Sequence, residues 1–125
     1  MGKVISDIAL NIDIAPTILE YAGISKPSGM QGEPLQKTWI SPDGKWRKEF
    51  YYEHRFVHPG LPKSEALISL DYKYINYYEF ADSSREFYDL RKDRGEVDNL
   101  INSAEYQDLI MKHINTLDSL RIKVK

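Results

Sequence analysis

The stretch Lys48-Glu49-Phe50-Tyr51-Tyr52-Glu53-His54-Arg55-Phe56 alternates with a period of two. Phe50, Tyr52, His54 and Phe56 fall on one side; Glu49, Tyr51, Glu53 and Arg55 fall on the other. Successive side chains of a strand point to opposite faces, so this reads as a strand with an apolar face and a mixed face. Tyr51 keeps the mixed face from being plainly polar. Aromatic residues on both faces mark a sheet that is covered on both. A chain of 125 residues is short for covering both faces by itself.

Downstream of that strand the punctuation continues. Residues 57–63 hold Pro59, Gly60 and Pro62 and read as a loop. Residues 65–70, 72–78 and 86–90 read as three further strands, with turn chemistry at Asp71 and at Ala81-Asp82-Ser83-Ser84. Consecutive strands with short links predict an antiparallel meander. Residues 91–99 are charged and broken by Gly95. Asn102 with Glu105 has capping-box spacing. Tyr106, Leu109, Ile110, His113, Ile114, Leu117 and Leu120 then recur at helical spacing, an apolar stripe that would lie across one face of the sheet.

Upstream, residues 4–10 are β-like. Asp13 is placed to cap a helix over residues 14–22, with Pro16 in its first turn and Gly23 at its stop. Ile14, Ile18, Tyr21 and Ala22 make its apolar stripe. A helix this short is unstable alone and needs a docking surface. Pro27, Gly29, Gly32, Pro34, Pro42 and Gly44 punctuate a connector with at most one helical turn near residues 35–40, and Trp39 and Trp46 are expected to anchor it. The fold class is α+β: a four-stranded antiparallel sheet with a C-terminal helix packed on one face, preceded by a short helix and a Pro/Gly-rich connector.

Composition removes several function classes. Seventeen basic and nineteen acidic side chains give a net charge of -2, which is no electrostatic footprint for nucleic acid or for an anionic membrane. There is no cysteine, hence no disulfide framework or thiol nucleophile. No apolar run approaches a membrane span, and the first residues lack a signal-peptide core. No Gly-rich phosphate loop and no nucleophile arrangement is present.

His54, Arg55 and His58 are the chemically capable group. They sit at a strand end and in the loop after it, where binding groups concentrate. Imidazole and guanidinium donors suit an anionic or hydroxyl-rich ligand. The competing reading is a hydrogen-bonded core histidine for His54 and an ion pair with a neighbouring glutamate for Arg55. His113 belongs to the apolar stripe. Asp89, Asp93, Glu96 and Asp98 crowd one region, but their spacing fits no calcium loop and Arg91, Lys92 and Arg94 interleave with them, which reads as a charged turn.

Four segments, in order, resemble the C-terminal end of a type I sulfatase of the alkaline-phosphatase-like superfamily. Ile12-Asp13-Ile14-Ala15-Pro16-Thr17-Ile18-Leu19-Glu20-Tyr21-Ala22-Gly23 resembles the helix that closes the catalytic domain. Met30-Gln31-Gly32-Glu33-Pro34-Leu35 resembles the family's connector, with Pro34 in place of the usual serine. Asp71-Tyr72-Lys73-Tyr74-Ile75 resembles a strand of the C-terminal subdomain. Glu86-Phe87-Tyr88-Asp89-Leu90-Arg91-Lys92-Asp93, with Gly95-Glu96 and Asn99-Leu100 after it, resembles the last strand and turn, with Phe87 for leucine and Arg94 for proline.

The resemblance implies a division into residues 1–24 as the tail of the catalytic domain, 25–45 as connector and 46–125 as C-terminal subdomain. It implies no catalytic residue and no cofactor in this chain: formylglycine, calcium and the groups around the sulfate belong to the N-terminal domain. That missing N-terminal sulfatase domain is then the implied partner, and it explains a second aromatic face, on which Tyr51, Leu67, Ile75 and Tyr77 are expected to stay partly exposed. The run from Glu53 to Pro62 is similar to sulfatases of glycosaminoglycan or N-acetylglucosamine-6-sulfate sugars, which implies a sulfated carbohydrate as ligand and His54 as a substrate-side residue. A bacterial member of the family is expected in the periplasm or outside the cell. Two other readings stay open: a stand-alone interaction or carbohydrate-binding module, and the same portion of a related phosphodiesterase or phosphonate hydrolase.

Overall fold

The alternating runs become four strands: β1 (Glu49–His54), β2 (Ser64–Ser69), β3 (Tyr72–Tyr77) and β4 (Arg85–Asp89). They pair antiparallel in chain order. The structure, a computed structural model, describes residues 2, 4–40, 45–78 and 84–124. It divides into two units, residues 1–48 and residues 49–125, with the whole sheet in the second.

Register decides what each sheet face carries. Tyr51 stands opposite Leu67, Leu67 opposite Tyr74 and Tyr74 opposite Phe87. That row faces the long C-terminal helix α3 (Gln107–Val124), which a single 3-10 turn at Ala104–Tyr106 leads into. Leu67, Tyr74 and Phe87 from the sheet close with Tyr106, Ile110 and Leu117 into the main core. Full burial of side chains this large stabilises by about 1.5–3 kcal/mol each. His113 packs there as its place on the stripe predicts. It is buried, its Nδ1 lies 2.8 Å from the Leu109 carbonyl, and its ring meets Tyr72 and Phe87 edge-on.

The other row runs Tyr52, Ala66, Ile75, Glu86, with Phe50, Ile68, Lys73 and Tyr88 beside it. Here the structure corrects the expected grouping. Tyr51 and Leu67 lie under α3, whereas Ile75 and Tyr77 belong to the opposite face. The reason is the pairing of Leu67 with Tyr74 rather than with Ile75. A one-residue difference in register exchanges every side chain between faces. Ala66, Ile75 and Tyr88 form a second, smaller apolar cluster on that face.

The motif after β4 turns out to be a set of backbone fasteners. The Phe87 N–H donates to Asn99 Oδ1 at 3.1 Å, Asn99 Nδ2 donates to the Arg85 carbonyl at 3.1 Å, and the Leu100 N–H donates to the Phe87 carbonyl at 2.8 Å. These bonds satisfy part of an edge that would otherwise present unpaired groups. Asp93 closes the turn by accepting from the Val97 and Asp98 N–H groups at 2.7 and 2.9 Å. The capping box expected at Asn102 and Glu105 does not form. Ser103 holds the N-cap position without a side-chain bond, and Gln107 Nε2 reaches back to the Ile101 and Ser103 carbonyls.

In the first unit, residues 4–10 form no strand; they run into α1 (Ile14–Tyr21), which ends at Gly23 with φ of 68°. Asp13 stands at the N-cap position of α1 but makes no side-chain bond to its first turn. Fully buried, it accepts from the Leu10 N–H at 2.8 Å, from the Glu33 N–H at 3.0 Å and from Arg47 through both guanidinium nitrogens. Thr17 bridges the same segments, its hydroxyl donating to the Asp13 carbonyl at 2.6 Å and accepting from the Leu35 N–H at 2.9 Å. Gly32 sits where a Cβ would lie 1.9 Å from the Ile12 carbonyl oxygen, so only glycine admits this approach. A short helix, α2 (Lys37–Ile40), follows, and Trp46 Nε1 anchors on the Ile8 carbonyl at 2.8 Å. The Trp39 side chain and most of the Ala81–Ser84 turn lie outside the described residues. No helix among the described residues is long and apolar enough to cross a membrane.

Candidate functional site

The sheet face opposite α3 holds a cleft of about 430 Å³, in the size range of small-ligand sites. Its walls come from four places. Tyr52 and His54 come from the end of β1, and Leu61 and Pro62 from the loop behind it. Tyr77 and Glu86 come from β3 and β4, with Ser64 and Ser84 at the margin. The loop is shaped by a turn in which the Leu61 N–H donates to the His58 carbonyl at 3.1 Å. Period-two alternation is what collects Tyr52, His54, Ser64 and Tyr77 on one face, since His54 pairs with Ser64 and Ser64 with Tyr77.

The Tyr77 hydroxyl donates to Glu86 Oε2 at 3.1 Å. Burial, and then the charge of Glu86, push the Tyr77 and Tyr88 phenols up to about 12, so both stay protonated donors through the neutral range. No lysine or arginine lines the cleft among the described residues. His54 borders it with its ring, which stands edge-on to Phe56 at 6.3 Å. Its Nε2 is closed off from solvent and has no hydrogen-bond partner. A buried polar atom left this way costs about 1–3 kcal/mol, so it is the one unmet group of the site.

The three residues singled out from sequence come to three different places. Arg55 points to the face opposite His54 and pairs through Nε with Glu53 Oε1 at 2.6 Å, the ion pair weighed as its alternative reading. It lies on a second groove with Lys63, Tyr78 and Arg121, above Glu65. Glu65 is buried and held by Arg121 Nε at 2.8 Å, Asn76 Nδ2 at 3.0 Å and the Tyr51 hydroxyl at 3.3 Å. Burial raises its carboxyl, but Arg121 and Asn76 outweigh that and hold it below the ordinary value. Sequence reading missed this cluster, because Arg121 lies 56 residues from Glu65. His58 is exposed, with Nδ1 2.9 Å from the neighbouring Pro59 carbonyl.

A hard cation finds no cage among the described residues, where no three imidazole or carboxylate groups stand together. The buried carboxylates already have partners: Asp13 is engaged by Arg47, and Asp89 by Arg91 and the Tyr106 hydroxyl. The described residues therefore do not fit a calcium site, and no chemical step runs through one here.

The family model described as "N-sulphoglucosamine sulphohydrolase, C-terminal" matches residues 1–123. An N-acetylglucosamine-6-O-sulfatase of Bacteroides thetaiotaomicron is 36% identical over 112 residues, which cover 84% of this chain and 20% of that protein. An arylsulfatase of Clostridium perfringens is 31% identical over 109 residues, covering 87% of this chain and 22% of its own length. A solved structure of a protein in complex with its substrate D-glucosamine-2-N,6-O-disulfate superposes with a TM-score of 0.84 at 28% identity, over 93% of this chain and 24% of that one. The chain thus spans 20–24% of the length of these relatives.

Proposed function

The chain belongs to the sulfatase C-terminal domain family, and from that premise we propose that it serves as the C-terminal part of a carbohydrate sulfatase. In this reading residues 1–24 dock on a larger catalytic portion, residues 25–45 connect, and residues 46–125 form the subdomain that faces the substrate. The nucleophile and the cation of the reaction belong to the catalytic portion, and this chain binds and positions.

The observation that carries the reading is on α1. Ile14, Ile18 and Tyr21, its apolar stripe, are 57%, 62% and 73% exposed. A short helix gains nothing from an apolar stripe in water, so the stripe fits a surface that the first unit does not itself supply. The internal bonding of the first unit agrees, because Asp13 and Thr17 fix α1 to the connector from behind and leave the stripe outward.

For the substrate we place the contact on His54. Its unmet Nε2 and its position beside the cleft support this. A half-turn about its soft second torsion is the smallest change that would free the nitrogen. Arg55 and His58 are weaker members of the proposal: Arg55 stands on the other face and His58 outside the cleft.

Sequencing the locus upstream of codon 1 tests the reading. An in-frame catalytic portion with a C/S-x-P/A-x-R motif is the expected result. An unrelated frame would overturn it and favour a stand-alone carbohydrate-binding module. The purified chain should not hydrolyse an aryl sulfate, since its sequence has no C/S-x-P/A-x-R motif to provide the formylglycine nucleophile. In the whole enzyme, His54→Ala should lower kcat/KM for a sulfated sugar by about tenfold and leave a small aryl sulfate nearly unchanged, as expected for loss of a hydrogen bond to substrate alone. Equal losses on both would count against a substrate contact.

A further inference from the structure

The cleft carries the same sign of charge as a sulfate group. We propose that it binds an uncharged pyranose ring through its hydroxyls, and that Glu86 keeps a sulfated position out of it. That the ligand is a sugar rests on the reading of the chain as part of a carbohydrate sulfatase. That it is uncharged at this point rests on the cleft alone.

A sulfate group offers only acceptor oxygens and carries a full negative charge, so it is recognised by lysine, arginine or clustered N–H donors. The cleft has no lysine or arginine among its described lining residues. On the same sheet face β3 carries Lys73, whose Nζ donates to Glu96 Oε2 at 2.6 Å. What the cleft does carry is the Glu86 carboxylate, fixed by the Tyr77 hydroxyl at 3.1 Å. A sulfate placed against that carboxylate meets like-charge repulsion, which is stronger in a partly desolvated cleft than in open water.

Sugar hydroxyls meet the opposite situation. A carboxylate has about four acceptor positions, and the Tyr77 hydroxyl takes one of them. Ser64 and Ser84 add hydroxyls that both donate and accept. Leu61, Pro62 and the half-exposed ring of Tyr52 give apolar surface for the C–H face of a ring. Aromatic and hydroxyl groups around one carboxylate recognise a polyol, and the same set is wrong for an anion. The cleft is therefore suited to the sugar unit next to the sulfated one, or to an unsulfated edge of it.

The experiment uses the purified chain and two probes that differ by one group, N-acetylglucosamine and its 6-O-sulfate. Amide chemical shifts are followed during titration. The expected result is movement at Tyr52, Ser64, Tyr77 and Glu86 with N-acetylglucosamine, and at least about tenfold weaker binding of the sulfate. Glu86→Gln keeps the shape and removes the charge, so the two affinities should come within about threefold of each other. Equal or tighter binding of the sulfate by the unaltered chain would overturn the proposal. So would an unchanged preference in a folded Glu86→Gln variant, or still amides with N-acetylglucosamine at about 50 mM, beyond the millimolar range of weak ligands. If Glu86→Gln fails to fold, the ratio measured on the unaltered chain decides alone. None of these outcomes bears on the upstream reading frame, so this proposal and the sulfatase reading can fail separately.

Discussion

Asp89 is 1% exposed and accepts from the Arg91 backbone N–H, from Arg91 Nε and Nη2 at 3.0 and 2.8 Å, and from the Tyr106 hydroxyl at 3.2 Å. Arg91 also lies over the Tyr72 ring, so one carboxylate fixes the end of β4, the turn after it and the start of the last helix. The Arg91 bonds, against the opposing effect of burial, hold its carboxyl at about 2, below the ordinary 3.8. A carboxyl lowered in the folded state stabilises fully above its unfolded value and loses that contribution as the pH falls toward its folded value. Thermal unfolding followed by circular dichroism should therefore show Tm falling between about pH 4 and about pH 2. Asp89→Asn should cost about 1.5–3 kcal/mol at neutral pH, the range for a hydrogen bond to a charged group, and should flatten that decline. Parallel declines in the two proteins would mean that Asp89 does not carry the pH response.

At the scale of elements, the strands and α3 were legible because each is a local pattern. Alternation in Phe50 to His54 and the stripe from Tyr106 to Leu120 each repeat several times within one element. What was illegible is what depends on distant partners. Aromatic residues on both sides of β1 leave its inner face undecided, so Tyr51 and Leu67 were expected on the wrong one; only the register with β3 assigns them to α3. Alternation also separates His54 from Arg55, as the period-two reading of β1 already put them on opposite sides. Asp13 read as a cap because the nearest free N–H groups are local, yet its partners Glu33 and Arg47 lie 20 and 34 residues away. The connector motif is explained by the same closure: Gly32 passes against the Ile12 carbonyl, which no longer side chain allows. Gly32→Ala should thus destabilise the first unit by about 1–3 kcal/mol, the usual cost of overpacking. Hydrogen exchange should show faster opening at the Glu33 and Leu35 amides, with amides of β2 and β3 unaffected. Unchanged protection at Glu33 would show that the loop yields without strain.

For the molecule as a whole, the unmatched surface lies on α1 rather than on Tyr51 and Leu67. The main core closes by itself, with Phe87, Leu67 and Leu117 all nearly inaccessible. The first unit closes through polar bonds at Asp13 and Thr17 and leaves Ile12, Ile14, Ile18, Tyr21 and Ile24 at 45–73% exposure. Soluble monomers rarely keep a contiguous apolar patch beyond a few hundred Å² without a partner for it. The purified chain should therefore bind a hydrophobic dye or self-associate as concentration rises, and Ile14→Glu with Ile18→Glu should abolish both while leaving the unfolding free energy of the sheet unit within about 1 kcal/mol, as for exposed positions. The same pair placed in a protein that includes the catalytic portion should do the opposite and destabilise it, because there the two charges would be buried without partners. Fluorescence titration and sedimentation on the chain, and thermal unfolding on the longer protein, read these two arms. A monodisperse, dye-silent chain would remove the need for a covering partner and favour the stand-alone module. A longer protein indifferent to the double change would place the catalytic portion on some other surface.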